Sequence, residues 1–347
     1  MTLKKNLVAA AALMAVAAAA QADVKLYGTL DYAVGSFEMA HTKNTSTRKT
    51  AVESGGMMTS YVGISGSEDL GGGLKAEFAL ESFLAGDTGA TVKNLNGVNS
   101  GGNGFWGRAS NIALSGGFGK VAVGQYDNPL FTSGYTYNPF GSSMTVSPTM
   151  LHTYMGGGAK TYAFDTGWVN SLTYESPIMT GLQGFLQYAP KETTATGTSN
   201  SYTAAAQYNA GPLSAMLTYA KVGRAGAATA YTADQKVTDL GVSYDFGAAK
   251  AFGQFTTIKD KTADDKATNY QVGVSVPVNA KATVMASYGA QKYTPSGNGA
   301  KITDKILSVG YDYALSKRTD VYGVFMTNSQ TNKDSGQTLA VGVKHNF

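Results

Sequence analysis

The chain has 347 residues and a formal charge of +4, from 27 basic and 23 acidic side chains scattered along its length; with no basic patch, a nucleic-acid partner is excluded. It has no cysteine, which rules out disulfides, cysteine-type zinc knuckles and thiol catalysis. Glycine (43) and tyrosine (21) are abundant and proline (8) is scarce, in proportions that run evenly along the chain, so one domain is expected rather than two.

The first segment, MTLKKNLVAAAALMAVAAAAQA, places a basic stretch, an apolar run and the small-x-small site Ala20-Gln21-Ala22 in order. That is the pattern of a secretory signal peptide over residues 1–22, and its apolar run falls short of the roughly 20 residues a spanning helix needs. Removing it takes away Lys4 and Lys5 and lowers the formal charge to +2. No later apolar run is long enough for a transmembrane helix, so residues 23–347 can cross a membrane only as a closed barrel.

From Val24 the chain alternates apolar and polar residues, the period of a strand. In LKAEFALE, Leu74, Ala76, Phe78 and Leu80 share one face and Lys75, Glu77 and Glu81 the other. The pattern recurs near residues 59–66, 105–114, 120–126, 168–176, 182–189, 201–209, 213–222, 237–246, 250–259, 268–277, 282–293, 304–313, 319–328 and 337–347, making sixteen segments in all. Tight connections such as SGGFGK, NAGP and ALSK alternate with long polar ones such as 35–58 and 223–236. This rhythm belongs to a sixteen-stranded antiparallel transmembrane β-barrel with short periplasmic turns and longer outer loops, and an even count returns both ends to the periplasm.

One connection breaks the rhythm. Residues 127–166 show no alternation and exceed an ordinary loop, so they are expected to fold into the lumen and constrict it. Aromatic and hydroxyl residues dominate there, including Phe131, Tyr135, Tyr137, Phe140, Tyr154 and Tyr162. These residues can either face the solute or pack the loop against the wall. By parity Asp31, Lys75, Glu77 and Glu81 line the lumen, while Tyr32, Tyr174, Tyr188, Tyr208, Tyr219, Tyr244, Tyr288 and Tyr313 suit the interfacial girdles.

The turn GSEDLGGGLKAEFALES at 66–82, the segment WGRASNIALSGGFGKVAVGQ at 106–125, VNSLTYESP at 169–177 and the terminal VGVKHNF resemble the general porins of β-proteobacteria, including the neisserial type. The resemblance covers all of residues 23–347. It implies a homotrimer in outer-membrane lipid, a third loop folded inward, and a terminal aromatic, here Phe347, read by the barrel-assembly machinery. It also implies a constriction with a basic wall, from which this chain departs: Tyr61, Gln125 and Thr173 stand where relatives carry basic residues. Arg108 keeps the family's arginine, yet it shares parity with Ile112 and Leu114, so a bulge or a late strand start must turn it inward. With Asp127, Tyr135, Tyr137 and Phe140, these four residues are the constriction candidates.

Catalytic motifs find no support. Gly102 to Gly107 fits GxGxxG but precedes a strand rather than a helix. His41, His152 and His345 lack metal-ligand spacing, and the paired acids Glu68-Asp69 and Asp264-Asp265 sit in a turn and a loop. The expectation is a passive outer-membrane channel for small hydrophilic solutes with weak charge selectivity, no enzyme, no metal and no cofactor. The alternatives are a substrate-preferring porin with an internal site for neutral or aromatic solutes, and an all-β adhesin or binding protein.

Overall fold

The computed structural model describes residues 23–91, 94–95, 98–99, 104–155, 165–223, 234–261, 263–297 and 299–347. The expected signal peptide and Tyr162 lie outside the described residues. Alternating side chains place one face of each strand inward and the other outward. The first strands are β1 (Lys25–Phe37), β2 in two parts (Lys49–Ser54 and Tyr61–Gly71), β3 (Leu74–Phe83), β4 (Ala109–Gly116), β5 (Gly119–Asp127) and β6 (Gly167–Glu175). They continue with β7 (Leu182–Ala189), β8 (Ser201–Ala210), β9 (Leu213–Val222), β10 (Gln235–Asp245) and β11 (Lys250–Asp260). The last five are β12 (Asp265–Pro277), β13 (Ala282–Thr294), β14 (Ile302–Ala314), β15 (Thr319–Gln330) and β16 (Gly336–Asn346).

Every neighbouring pair is antiparallel, and β16 returns to β1, with Thr29 opposite Asn346 and Ser36 opposite Leu339. The sheet is therefore a closed barrel of sixteen strands, which leaves no open edge to hydrogen-bond within a bilayer. The outward rows are apolar, with Leu186, Leu217, Phe255, Val272 and Val341 all exposed. No helix among the described residues is long and apolar enough to cross a membrane.

Two features set the interior. The second strand breaks at residues 55–60, where β1 changes partner from Tyr61–Gly71 to Lys49–Ser54. Asp31 organises the break: its carboxylate accepts the N–H groups of Met57 (2.8 Å) and Met58 (2.6 Å) and the hydroxyl of Tyr322, and its backbone N–H donates to Ser60 Oγ (2.9 Å). The expected lumen-lining acid is thus inward but fully buried, spent on holding a backbone segment.

The second feature is the long connection after β5. It carries two short helices, α1 (Pro129–Thr136) and α2 (Pro148–Tyr154). Each starts the same way: the side chain of Asn128 or Ser147 accepts an N–H of the first turn and a proline occupies the first helical position, whose missing donor costs nothing there.

Candidate pore constriction

The loop is clamped to the wall formed by β7 to β15. Ser133 on α1 donates to Asp239 on β10, whose buried carboxylate also accepts from Thr256 Oγ1 (2.6 Å) and Gln254 Nε2 (3.2 Å) on β11. Asn128 Nδ2 donates to Gln187 (2.8 Å) and Thr203 (2.7 Å), and Tyr137 Oη lies 2.9 Å from Ser214 Oγ. From α2, His152 Nε2 lies 2.9 Å from Asp304 Oδ1, and Gln291 Nε2 donates to the His152 carbonyl (2.8 Å). These bonds offset much of the cost of taking the polar groups out of water, although Gln254 Oε1 and Gln291 Oε1 are buried without a partner.

Inward glycines let the loop approach this closely. A Cβ at Gly241 would meet the Tyr137 ring, at Gly273 the ring of Pro139, at Gly289 that of Pro148, and at Gly310 that of Phe140. Four strands thus offer bare backbone where four bulky loop residues land. Tyr137 and Phe140 are fully buried as a result. Of the two readings open for these constriction candidates, Tyr137 and Phe140 follow the second: they pack the loop to the wall, and the glycines opposite them are the sequence signal for it.

Among the described residues, open space lies mainly along β1 to β7 and the β15–β16 edge, and includes three cavities in series. The outer one, about 430 Å³, is reached from the loop side and includes Glu38, Lys49, Glu53 and Asp87. The inner one, about 520 Å³, lies toward the turns and includes Lys25, Glu77, Glu81, Lys120, Asp127, Tyr135, Thr173 and Glu175. Between them is a neck of about 20 Å³, which shares Thr59 and Met144 with the outer cavity and Arg108 and Asp127 with the inner.

Arg108 reaches the neck because β4 begins one residue after it. Its N–H still donates to the Glu81 carbonyl (3.0 Å), but its side chain escapes the outward parity of Ile112. The guanidinium pairs with the Glu81 carboxylate and stacks 4.0 Å from the centre of the Tyr61 ring. Tyr27 Oη donates to the other oxygen of Glu81 (2.5 Å), closing a four-residue cluster on the wall.

Gln125 shares the outward parity of Val121 and Val123 and lines none of the three cavities; its amide donates to the Gly107 carbonyl (2.7 Å), bracing the segment that carries Arg108. Thr173 is buried at the cavity margin, where its hydroxyl accepts from Gln187 Nε2 (3.0 Å). Lys75 is exposed near the turn, and Phe347 pairs with Gly28 to extend the closing seam.

The other lining bases are also paired. Lys120 lies 2.8 Å from Glu77, Lys25 3.0 Å from Asp23, and Lys49 2.5 Å from Glu53. Sequence reading missed this bookkeeping of charges, along with Glu175, which accepts from Tyr126 Oη (2.8 Å) on the inner cavity. Inward rows on β3, β5 and β6, with β4 between the first two, bring Glu77, Lys120 and Glu175 together, and register between strands is hidden in a linear sequence.

Comparison with known proteins agrees with this architecture. A family model described as Gram-negative porin matches residues 9–334. The chain is 33% identical to outer membrane porin protein 32 of Delftia acidovorans, over 99% of this chain and 100% of that one, and 29% identical to major outer membrane protein P.IB of Neisseria lactamica at the same coverage. Among solved structures it is similar to the anion-selective porin from Comamonas acidovorans, with 29% identity, a TM-score of 0.76, and coverage of 94% of this chain and all of that one. A trimer form of Vibrio cholerae OmpT shares the fold, with a TM-score of 0.67 at 14% identity. A closed sixteen-strand wall with an inward loop, matched over nearly its whole length by these relatives, places this chain in the Gram-negative porin family, as an outer-membrane porin that acts as a passive channel.

Proposed function

We propose that this porin passes small hydrophilic solutes and ions with only weak charge preference, and that what preference remains favours cations. One observation carries the reading: each of the four basic residues lining the three cavities, Lys25, Lys49, Arg108 and Lys120, already has a carboxylate partner. A paired base presents a dipole rather than a charge to a passing ion, and fixed charge acts on permeation through its unbalanced part. The lining carries more acids than bases, with Asp87 and Glu175 beyond the paired set, so the residue of the balance is negative.

The anion selectivity named for the Comamonas porin is therefore not expected here. Reversal potential across a planar bilayer under a KCl gradient tests this, with a small cation-side potential as the expected result; a strong anion preference sinks it. A second reading, preference for neutral or aromatic solutes, draws support from Tyr126, Tyr135 and Phe185 around the inner cavity. Saturable block of single-channel current by such a solute would favour it over general diffusion.

The remaining expectations belong to the same proposal. Residues 1–22 act as the secretory signal and 23–347 as the barrel. The protein assembles as a homotrimer, and Phe347 with the last strand is read by the barrel-assembly machinery. Heat-modifiable migration on gels and loss of assembly on deleting Phe347 check these two points.

A further inference from the structure

The inner cavity holds two aromatic rings and a carboxylate that the clamp and the ion pairs leave unused: Tyr135, Phe185 and Glu175. Of the aromatic residues described in the loop, Phe131, Tyr137, Phe140 and Tyr154 are buried, whereas Tyr135 on α1 is 36% exposed. Its ring meets Phe131 edge-on, with centroids 5.2 Å apart, and lines the cavity. Phe185 has the inward parity of Gln183 and Gln187 on β7, so an apolar ring stands between two amides. A ring that faces a wet lumen gains from burial only when a solute covers it.

Glu175 stands beside Phe185. In the pairing of the strands it lies opposite Phe185 on one side and opposite Lys120 on the other. The ammonium of Lys120 turns instead to Glu77, 2.8 Å away. One oxygen of Glu175 accepts from Tyr126 Oη (2.8 Å), and the other accepts no hydrogen bond among the described residues. Two acids, Glu77 and Glu175, thus share one base, and the excess is negative in a cavity walled by Tyr126, Tyr135 and Phe185.

We propose that this corner of the inner cavity is a binding subsite for monovalent organic ammonium ions with an aromatic or alkyl body, an inference that rests on the cation-side preference proposed above. A cationic head gains from the carboxylate and from the ring faces together, because each ring presents the negative face of its quadrupole. The apolar body covers the rings. A hard divalent ion would need several oxygen ligands, where one carboxylate oxygen is open here. An anionic solute meets the excess of negative charge, and a neutral aromatic leaves Glu175 without a role. The cavity, about 520 Å³, has room for such a solute, since small-molecule sites span about 300–1,000 Å³. It lies on the turn side of the neck, so an ion entering from that side reaches it without passing the Arg108 constriction.

The test is a titration of single-channel current through the full-length barrel in a planar bilayer with phenylethylammonium chloride, set against neutral 2-phenylethanol and anionic 3-phenylpropionate. The ammonium ion should block saturably, at a concentration at least about tenfold below either isostere, and more strongly from the turn side. Glu175→Gln keeps an acceptor for Tyr126 and should raise the half-blocking concentration about tenfold. Phe185→Leu removes a ring and no charge; it should raise that concentration about threefold and leave the reversal potential in a KCl gradient where it was. Equal block by the alcohol, or native block in Glu175→Gln, would overturn the proposal. If a variant does not insert, the three isosteres on the unaltered protein still decide. The two readings also fail separately: a strong anion preference in KCl sinks the selectivity reading while block by the ammonium ion is scored on its own, and absence of block in a weakly cation-preferring channel overturns the subsite alone.

Discussion

The two halves of the barrel wall handle polar groups in opposite ways. Along β8 to β15 the inward polar side chains are mostly glutamine, threonine, serine and aspartate, buried under the loop helices, and many are held in neutral or singly charged hydrogen bonds. Along β1 to β6 the inward groups are fully charged, remain in contact with the open cavities, and balance one another in pairs. The first half holds the constriction in place, and the second sets what it discriminates. Stability and selectivity are therefore separable by mutation.

The largest effect should come from breaking the packed half. Asp239→Ala leaves Ser133, Gln254 and Thr256 without their shared acceptor in a dry site, at about 1–3 kcal/mol for each buried group left unsatisfied. We expect a lower heat-modification temperature and a noisy, enlarged single-channel conductance; a quiet channel of native size would show that the loop does not depend on this anchor.

Next is a steric probe of the same half. Gly310→Ala sets a methyl 2.8 Å from the Phe140 ring, and overpacking of this kind costs about 1–3 kcal/mol. Pairing it with Phe140→Leu should restore much of the lost thermal stability. Failure of that rescue would argue against direct contact as the cause.

On the open half, Glu81→Gln removes the counter-charge of Arg108 and should move the reversal potential toward anions, whereas Arg108→Gln should move it toward cations, both with near-native melting. Two shifts in the same direction would contradict the pairing. The smallest effect concerns pH at the outer loop. The hydroxyl of Ser46, followed by the charge of Arg48, holds the Glu38 carboxyl below the usual carboxylate range. A depressed acid contributes stability above its unfolded pKa and loses it as pH falls through the folded value. Hydrogen exchange at Thr47, whose N–H donates to Glu38 (3.2 Å), should thus stay protected through the ordinary carboxylate range and rise only below it. Glu38→Gln should abolish that pH dependence.

The strands were legible because alternation is local: each of the sixteen expected segments overlaps a strand of the barrel. The interruption of β2 was not, since KTAVES is too short to show a period and its partner is set by Asp31, far off in the chain. The helices of the loop were signalled by Asn128-Pro129 and Ser147-Pro148, two helix-start dipeptides within a stretch lacking any strand period. Arg108 could be placed by noticing that alternation in its strand begins only at Ala109. What stayed hidden was pairing, because Glu81 with Arg108 and Glu77 with Lys120 depend on register across strands.

The break in β2 has one more consequence. Its freed carbonyls at Gly55 and Gly56 receive the hydroxyls of Thr145 (3.1 Å) and Ser143 (2.8 Å), which stitch the loop to the wall opposite its helices. Such uncharged stitches are indifferent to electrolyte, whereas the ion pairs beside them are screened within a Debye length of about 8 Å at physiological ionic strength. Raising salt should therefore erode the channel's discrimination while its calibre stays constant: the aperture is an insulator's dimension, and the filter is an electrolyte's.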